Sequence, residues 1–218
     1  VQDDRWQTWR RIVAEEAARL TQLVDNLLLL SKLEMPDFSL ETHLVNLEAV
    51  AEDAILQLSD LAEARGISLS LQMESCVPRI MADRARLQQV FINLLDNAIK
   101  YSGERKEIAV RPVAGGEAVE IQVEDHGIGI PAEARERIFD AFYRAPDAAR
   151  RNPKGVGLGL MIVKHIMDAH GGRIGLRSEP GKGTVFRVFL PEAAGADVHR
   201  AGRVGAGAEP LRARILFV

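Results

Sequence analysis

Residues 3–34 contain neither glycine nor proline, and their apolar side chains fall on alternating three- and four-residue steps: Trp6, Trp9, Val13, Leu20, Leu23, Leu27 and Leu30. That spacing is the a/d seam of a coiled coil or helical bundle. Glu16 is the one seam position out of pattern. Such a helix would extend on the order of 45 Å at ~1.5 Å per residue. A stripe of this kind cannot stay in water. It either folds back on its own domain or builds a dimer, and the length of the seam favours the dimer. Met35-Pro36-Asp37 ends the segment, because proline cannot continue the hydrogen-bond ladder and restricts the residue before it.

The chain then changes character. Residues 44–47 read as a short strand, and 47–65 carry helical spacing (Val50, Ala54, Leu58, Leu61) with Gly66 as a C-cap. Residues 67–73 alternate as a half-buried strand does. Asp83 is an N-cap for a helix running to about Tyr101. Strands at 107–113 and 118–124 flank Gly115-Gly116 and predict a hairpin. A short helix follows Pro131, another covers 158–169, and strands at 173–178 and 184–190 surround a Pro-Gly-Lys-Gly turn. The expected fold class is α+β: a two-layer α/β sandwich with a mixed, mainly antiparallel sheet and three helices on one face. The long coiled-coil-like helix precedes it. Between Asp125 and Gly157 lies a long irregular excursion, and loops of that length are usually functional.

Composition excludes little but useful ground. The 218 residues carry a net charge of −3, which calls for no nucleic-acid partner. Cys76 stands alone, so an internal disulfide and a thiolate metal cage are both excluded; it reads as a small core residue. No run approaches the roughly 18 apolar residues of a membrane span. The expectation is a cytoplasmic piece of a larger protein, attached to a membrane only through parts outside this sequence, if at all. After Pro191 the composition turns to alanine, glycine and arginine, as in a linker, and residues 213–218 read as one buried strand.

Three clusters carry chemistry. On the helix after Asp83, Asn93, Asn97 and Tyr101 are spaced four apart and share a face that Lys100 borders. Amides in an otherwise apolar helix are costly if buried unpaired, an amide oxygen suits Mg²⁺, and a lysine suits phosphate. A solvated polar face is the bland alternative. Next, the strand ending at Glu124 runs into Asp125-His126-Gly127-Ile128-Gly129-Ile130. A carboxylate at a strand end can accept from an exocyclic amine, and the glycines let a flat ring approach the backbone. His126 has no metal-ligating partner at sensible spacing and is given no role. Finally, Gly155-Val156-Gly157-Leu158-Gly159-Leu160 leads into a helix, a seat for phosphate. It is neither the dinucleotide fingerprint nor the Walker pattern. Between the last two clusters, Phe139 and Phe142 are expected to anchor a lid, with Arg144 and Lys154 near phosphates; Arg150 and Arg151 read as solvated charge.

In this order the clusters, with the Phe-x-x-Phe segment, resemble the N, G1, F and G2 boxes of sensor histidine kinases. The catalytic domain of that family is related to the ATPases of gyrase, the mismatch-repair proteins and the large heat-shock chaperone. The resemblance covers nearly all of the chain up to Pro191 and implies ATP and Mg²⁺ as cofactors. It implies that Asn97 binds the metal with Asn93 in support, that Lys100 touches a phosphate and that Tyr101 lies against the nucleotide. Asp125 would accept from the adenine amine, with Gly127, Gly129 and Ile130 lining the base and Thr184 closing that end. Gly155, Gly157, Leu158, Gly159 and Leu160 would meet phosphates, as would Arg144. Residues 1–36 would be the second helix of the dimerisation and phosphotransfer hairpin, 40–191 the catalytic domain, and 192–218 a linker with the possible first strand of a receiver domain.

The resemblance also implies homodimerisation through the opening helix in the full protein, and a response regulator or an attached receiver domain as phosphate acceptor downstream. No residue of this chain fits the phosphoacceptor: His43, His126, His165, His170 and His199 all lie outside a His-Glu/Asp context. The expectation is a chain that binds Mg-ATP, does not label itself and holds no catalytic residue of its own. Two rivals stay open. One is a non-catalytic, dimerising nucleotide-binding scaffold. The other is a chaperone- or gyrase-like ATPase, although Gln89 or Asn93 stands where those relatives place a water-activating glutamate.

Overall fold

The computed structural model describes residues 2–33, 35, 38–72, 79–114, 118–151 and 155–191. Outside these lie Cys76, the hairpin tip at Gly115-Gly116, Lys154, His199 and the whole segment 192–218 with its expected strand. The chain divides into two compact units, Val1–Phe38 and Ser39–Val218.

The first unit holds α1 (Gln2–Leu33), a helix of 32 residues. Its seam residues Trp6, Trp9, Val13, Leu20 and Leu27 are exposed by 65%, 58%, 63%, 61% and 49%. Among the described residues, no helix is long and apolar enough to cross a membrane.

The second unit is built from β1 (His43–Val45), α2 (Leu47–Glu63), β2 (Ser68–Leu71), β3 (Ile80–Ala82), α3 (Arg84–Tyr101), β4 (Glu107–Ala114) and β5 (Ala118–Asp125), in that order. After these come two 3-10 turns (Ala132–Ala134 and Arg137–Phe139), α4 (Pro146–Arg151), α5 (Gly159–Ala169), β6 (Arg173–Glu179) and β7 (Gly183–Pro191). Five strands form one sheet in the order β2-β4-β5-β7-β6, antiparallel except for the parallel β2–β4 pair. The short strands β1 and β3 pair separately.

Strict alternation along β5 decides the layering. Val119, Ile121, Val123 and Asp125 are buried, and the residues between them are not. Their cross-strand partners Leu190, Val188, Phe186 and Thr184 on β7 are buried as well. This face receives α2, α3 and α5, whose Val50, Ala54, Leu95, Ile162 and Ile166 are fully inaccessible. The opposite face is polar: Arg111 pairs with Glu124, and Arg187 with Glu120.

Local signals set the helix ends. Asn46 accepts from Glu48 N–H at 2.9 Å, and Asp83 accepts from Arg86 N–H at 3.1 Å. Beyond α2, Gly66 takes a φ of 65° while Ile67 N–H returns to Ala62 O at 2.9 Å, the Schellman closure. One long-range bond seats α5 against α3. Asp83 N–H donates to His170 Nε2 at 3.0 Å, and His170 Nδ1 lies 2.8 Å from Ile166 O. The carbonyl can only accept, so Nδ1 carries the proton. The excursion differs from its expected irregular form: Pro146 starts the helix α4, where a proline's fixed φ suits a first helical residue.

The helix–sheet interface carries the stability. Leu95→Ala should lower the unfolding free energy by about 2–5 kcal/mol. Leu56→Ala, at a position 68% exposed, should change it by less than about 0.5 kcal/mol. Urea denaturation of the two variants measures the contrast, and equal losses would place the core elsewhere.

Candidate functional site

Asp125 ends β5 on the helix-facing side and is only 8% exposed. Desolvation pushes its carboxyl up to about 6, against the opposing pull of N–H donors from Gly127 and Thr184, and Glu124 adds a smaller push in the same direction. Gly127 N–H donates to Oδ1 at 2.8 Å, and Thr184 is the direct cross-strand neighbour. The buried acid is thus held by backbone donors, with no cationic side chain paired to it among the described residues.

The loop after Asp125 is pinned on two sides. Toward α3, Ile128 N–H donates to Tyr101 O at 3.2 Å. A Cβ on Gly127 would lie 2.2 Å from Tyr101 O and 2.8 Å from Asp125 Oδ1, so only glycine fits. Toward the β6–β7 hairpin, Gly181 N–H donates to Ile128 O at 2.8 Å and Ile130 N–H to Ser178 Oγ at 2.8 Å. Gly129 has φ 69°, and its Cβ would sit 2.0 Å from Glu179 O. Arg135 reinforces the junction through Nη2 to Ser178 O at 2.6 Å.

Midway along α3, Asn93 is buried with its Nδ2 unpaired, and its Oδ1 lies 3.4 Å from where a Cβ on Gly159 would stand. Gly159 opens α5, whose capping residue Leu158 offers no side-chain bond to the helix end. The first-turn N–H groups are therefore available to an anion. Gly157 (φ 79°) packs against Tyr143 and Phe142, and its O accepts from Phe142 N–H at 3.0 Å. Asn97 and Tyr101 are half-buried along the same stripe, while Gly155 and Leu160 flank the α5 start. Asn93 to Tyr101 spans about 12 Å at 1.5 Å per residue. The amide stripe of α3 thus bridges the two glycine segments, one at each end.

Some placements depart from expectation. Lys100 pairs with Asp96 one turn back rather than standing free. Phe142 does not anchor the excursion: it is 62% exposed with φ 62°, and Ala134, Ile138 and Ala145 supply the buried contacts instead. A long aromatic reads as an anchor in sequence, but here the tight turn at Gly157 holds its backbone and leaves the ring outside. Arg144 Nη2 donates to Ala148 O at 3.1 Å, within the excursion. Arg150 pairs with Asp147 on the exposed side of α4. Ser178 was not singled out in the sequence. The signal was present, since Ile174 and Leu176 alternate inward and Ser178 puts a hydroxyl at the next inward position.

Two clefts among the described residues lie elsewhere. One of about 620 Å³ follows α1 beside Trp6, Trp9 and Val13, and one of about 370 Å³ sits on the outer sheet face between Gln72, Arg111 and His126. The convergence of buried carboxylate, glycine segments and amides is marked by its chemistry.

The strained charge of Asp125 has a measurable sign. A raised carboxyl favours the folded state at low pH and loses that contribution as pH climbs from the ordinary 3.8 through about 6. Asp125→Asn should therefore gain on the native protein by roughly 2 kcal/mol in unfolding free energy between pH 4 and pH 8. A difference that stays flat across the range would mean an unstrained carboxylate.

Comparison with known proteins identifies a family. The model of the "Histidine kinase-, DNA gyrase B-, and HSP90-like ATPase" family matches residues 82–194. The alginate biosynthesis sensor protein KinB of Pseudomonas aeruginosa is 37% identical over 179 residues, covering 82% of this chain and 29% of its own length. The phosphate regulon sensor protein PhoR of the same species is 32% identical over 196 residues, covering 90% and 44%. The chain thus spans less than half the length of these relatives. Among solved structures, full-length ShkA in complex with AMPPNP superposes with a TM-score of 0.72 at 31% identity, over 83% of this chain and 38% of that one. Histidine kinase ThkA in complex with the response regulator TrrA gives 0.67 at 28%, over 84% and 50%. The chain belongs to the histidine kinase, DNA gyrase B and HSP90-like ATPase family, whose model covers residues 82–194, and it is similar there to the ATP-binding catalytic domains of sensor histidine kinases.

Proposed function

We propose that this chain binds Mg-ATP in the groove between α3, the Asp125 loop and the α5 start, and delivers the γ-phosphate to a histidine supplied from outside these residues. The observation that carries the reading is the α3 stripe, with a buried acceptor at its Tyr101 end and an unpaired buried amide beside an uncapped helix at its Asn93 end. The donor set fits the group. Asp125 accepts from the exocyclic amine of adenine, Gly127, Gly129 and Ile130 line the base, Thr184 closes that end, and Tyr101 lies alongside. The phosphates fall to Gly155, Gly157, Leu158, Gly159 and Leu160 at the positive end of α5, with Lys100 and Arg144 at the rim.

Asn97, with Asn93 behind it, would hold Mg²⁺, which neutralises phosphate charge when bound. Releasing Lys100 from Asp96 is cheap. Both side chains are about a third exposed, and an i,i+4 pair of this kind is worth roughly 0.3–0.5 kcal/mol. The protein's part in transfer is then positioning and charge compensation.

The exposed seam of α1 supports homodimerisation in the full protein, since contiguous apolar surface of this kind seeks cover. A response regulator or an attached receiver domain receives the phosphate afterwards, in the cytoplasm. In calorimetry the purified chain should take up one Mg-ATP, with Asn97→Ala weakening uptake at least tenfold in magnesium and far less in EDTA, since one lost charge-linked contact is worth about 1.5–3 kcal/mol. No acid-labile phosphate should accumulate on the chain. Steady turnover of ATP to ADP would instead favour a hydrolytic ATPase.

A further inference from the structure

Ser178 has no place in the nucleotide contacts above, yet it is 4% exposed and its hydroxyl sits among three polar groups. Its Oγ lies 2.8 Å from Ile130 N, 2.9 Å from Gly183 O and 2.8 Å from Thr184 Oγ1. Only one arrangement of protons satisfies all three contacts. Ile130 N–H can only donate, so Oγ accepts there. Gly183 O can only accept, and the serine has a single proton, so that proton goes to Gly183. Thr184 must therefore donate its own hydroxyl proton to Ser178. What is left of Thr184 Oγ1 is lone pairs.

Thr184 stands directly across from Asp125, whose carboxylate also presents only acceptors. We infer that Ser178 is the positioning residue for base selection: by taking the Thr184 proton it leaves the Asp125–Thr184 wall with acceptors alone, which favours a purine that offers an exocyclic amine and rejects one that offers a carbonyl at the same place. The inference rests on the nucleotide reading above and adds to it the origin of the preference. Removing the Ser178 hydroxyl frees the Thr184 proton to turn toward the ligand, so the wall then tolerates a carbonyl.

The test compares ADP with IDP, which differ at the exocyclic amine, and uses inorganic tripolyphosphate as a probe of the phosphate end alone, all by calorimetry with Mg²⁺. In Ser178→Ala the preference for ADP over IDP should shrink about fivefold to tenfold, the worth of one hydrogen bond. Tripolyphosphate affinity should stay the same, and a loss confined to general folding would lower all three together. In a Thr184→Val background Ser178→Ala should leave the ADP/IDP ratio unaltered, because serine acts through the threonine.

An unchanged ratio in folded Ser178→Ala overturns the inference, as does a full effect that persists in the Thr184→Val background. Should Ser178→Ala not fold, Thr184→Val alone decides: the ratio must fall, and a ratio equal to the native one overturns the inference. If the native protein binds tripolyphosphate but neither nucleotide, the base-pocket reading itself fails, a result distinct from loss of selectivity.

Discussion

A carboxylate buried at the end of a central strand organises the second unit. Asp125 is forced inward by the pleat: Val119, Ile121 and Val123 fill the helix-facing side of β5, and the next residue in phase is the acid. Leaving it there desolvated raises its pKa to about 6, a cost the fold accepts and only partly offsets with two backbone donors. Those donors come from opposite directions, Gly127 from the loop and Thr184 from β7. The same acid therefore fixes the loop that follows it and the strand beside it. Glycines at 127, 129 and 183 follow as a consequence, since a Cβ at each would lie within 2.2 Å of a carbonyl oxygen.

The other half of the candidate site is set by how α3 and α5 meet. Asp83 and His170 clasp one end of the pair, and Asn93 meets Gly159 at the other. The start of α5 is thereby held beside the amide stripe of α3, with its first N–H groups uncovered. Neither helix would offer much alone. Together with the Asp125 loop docked on Tyr101, they set buried acceptors at one end of the α3 stripe and uncovered N–H groups at the other, the polarity the proposed nucleotide site uses.

Much of this was legible in the sequence because it rests on local rules. Asp83 as a cap, the four-residue spacing of Asn93, Asn97 and Tyr101, and the period-two pattern of β5 each need only a few neighbouring residues. Order of the sheet, with a parallel β2–β4 edge in a mainly antiparallel array, follows the mixed class expected. What escaped needed distant partners. The His170 clasp joins residues 87 apart, and Ser178 reaches Ile130 across 48. The outward ring of Phe142 depends on a left-handed backbone that composition does not reveal. The short helix that Pro146 starts lies in a stretch expected to be irregular, because a proline's fixed φ suits a first helical residue as well as a loop.

Backbone amide shifts measured by NMR during a titration with Mg-ADP test the central claim most directly. The account predicts that the largest changes fall together on Gly127, Gly129, Gly159 and Thr184, with the Asn97 side-chain amide shifting only when magnesium is present. Saturable changes confined to other surfaces, with those four amides unmoved, would contradict it.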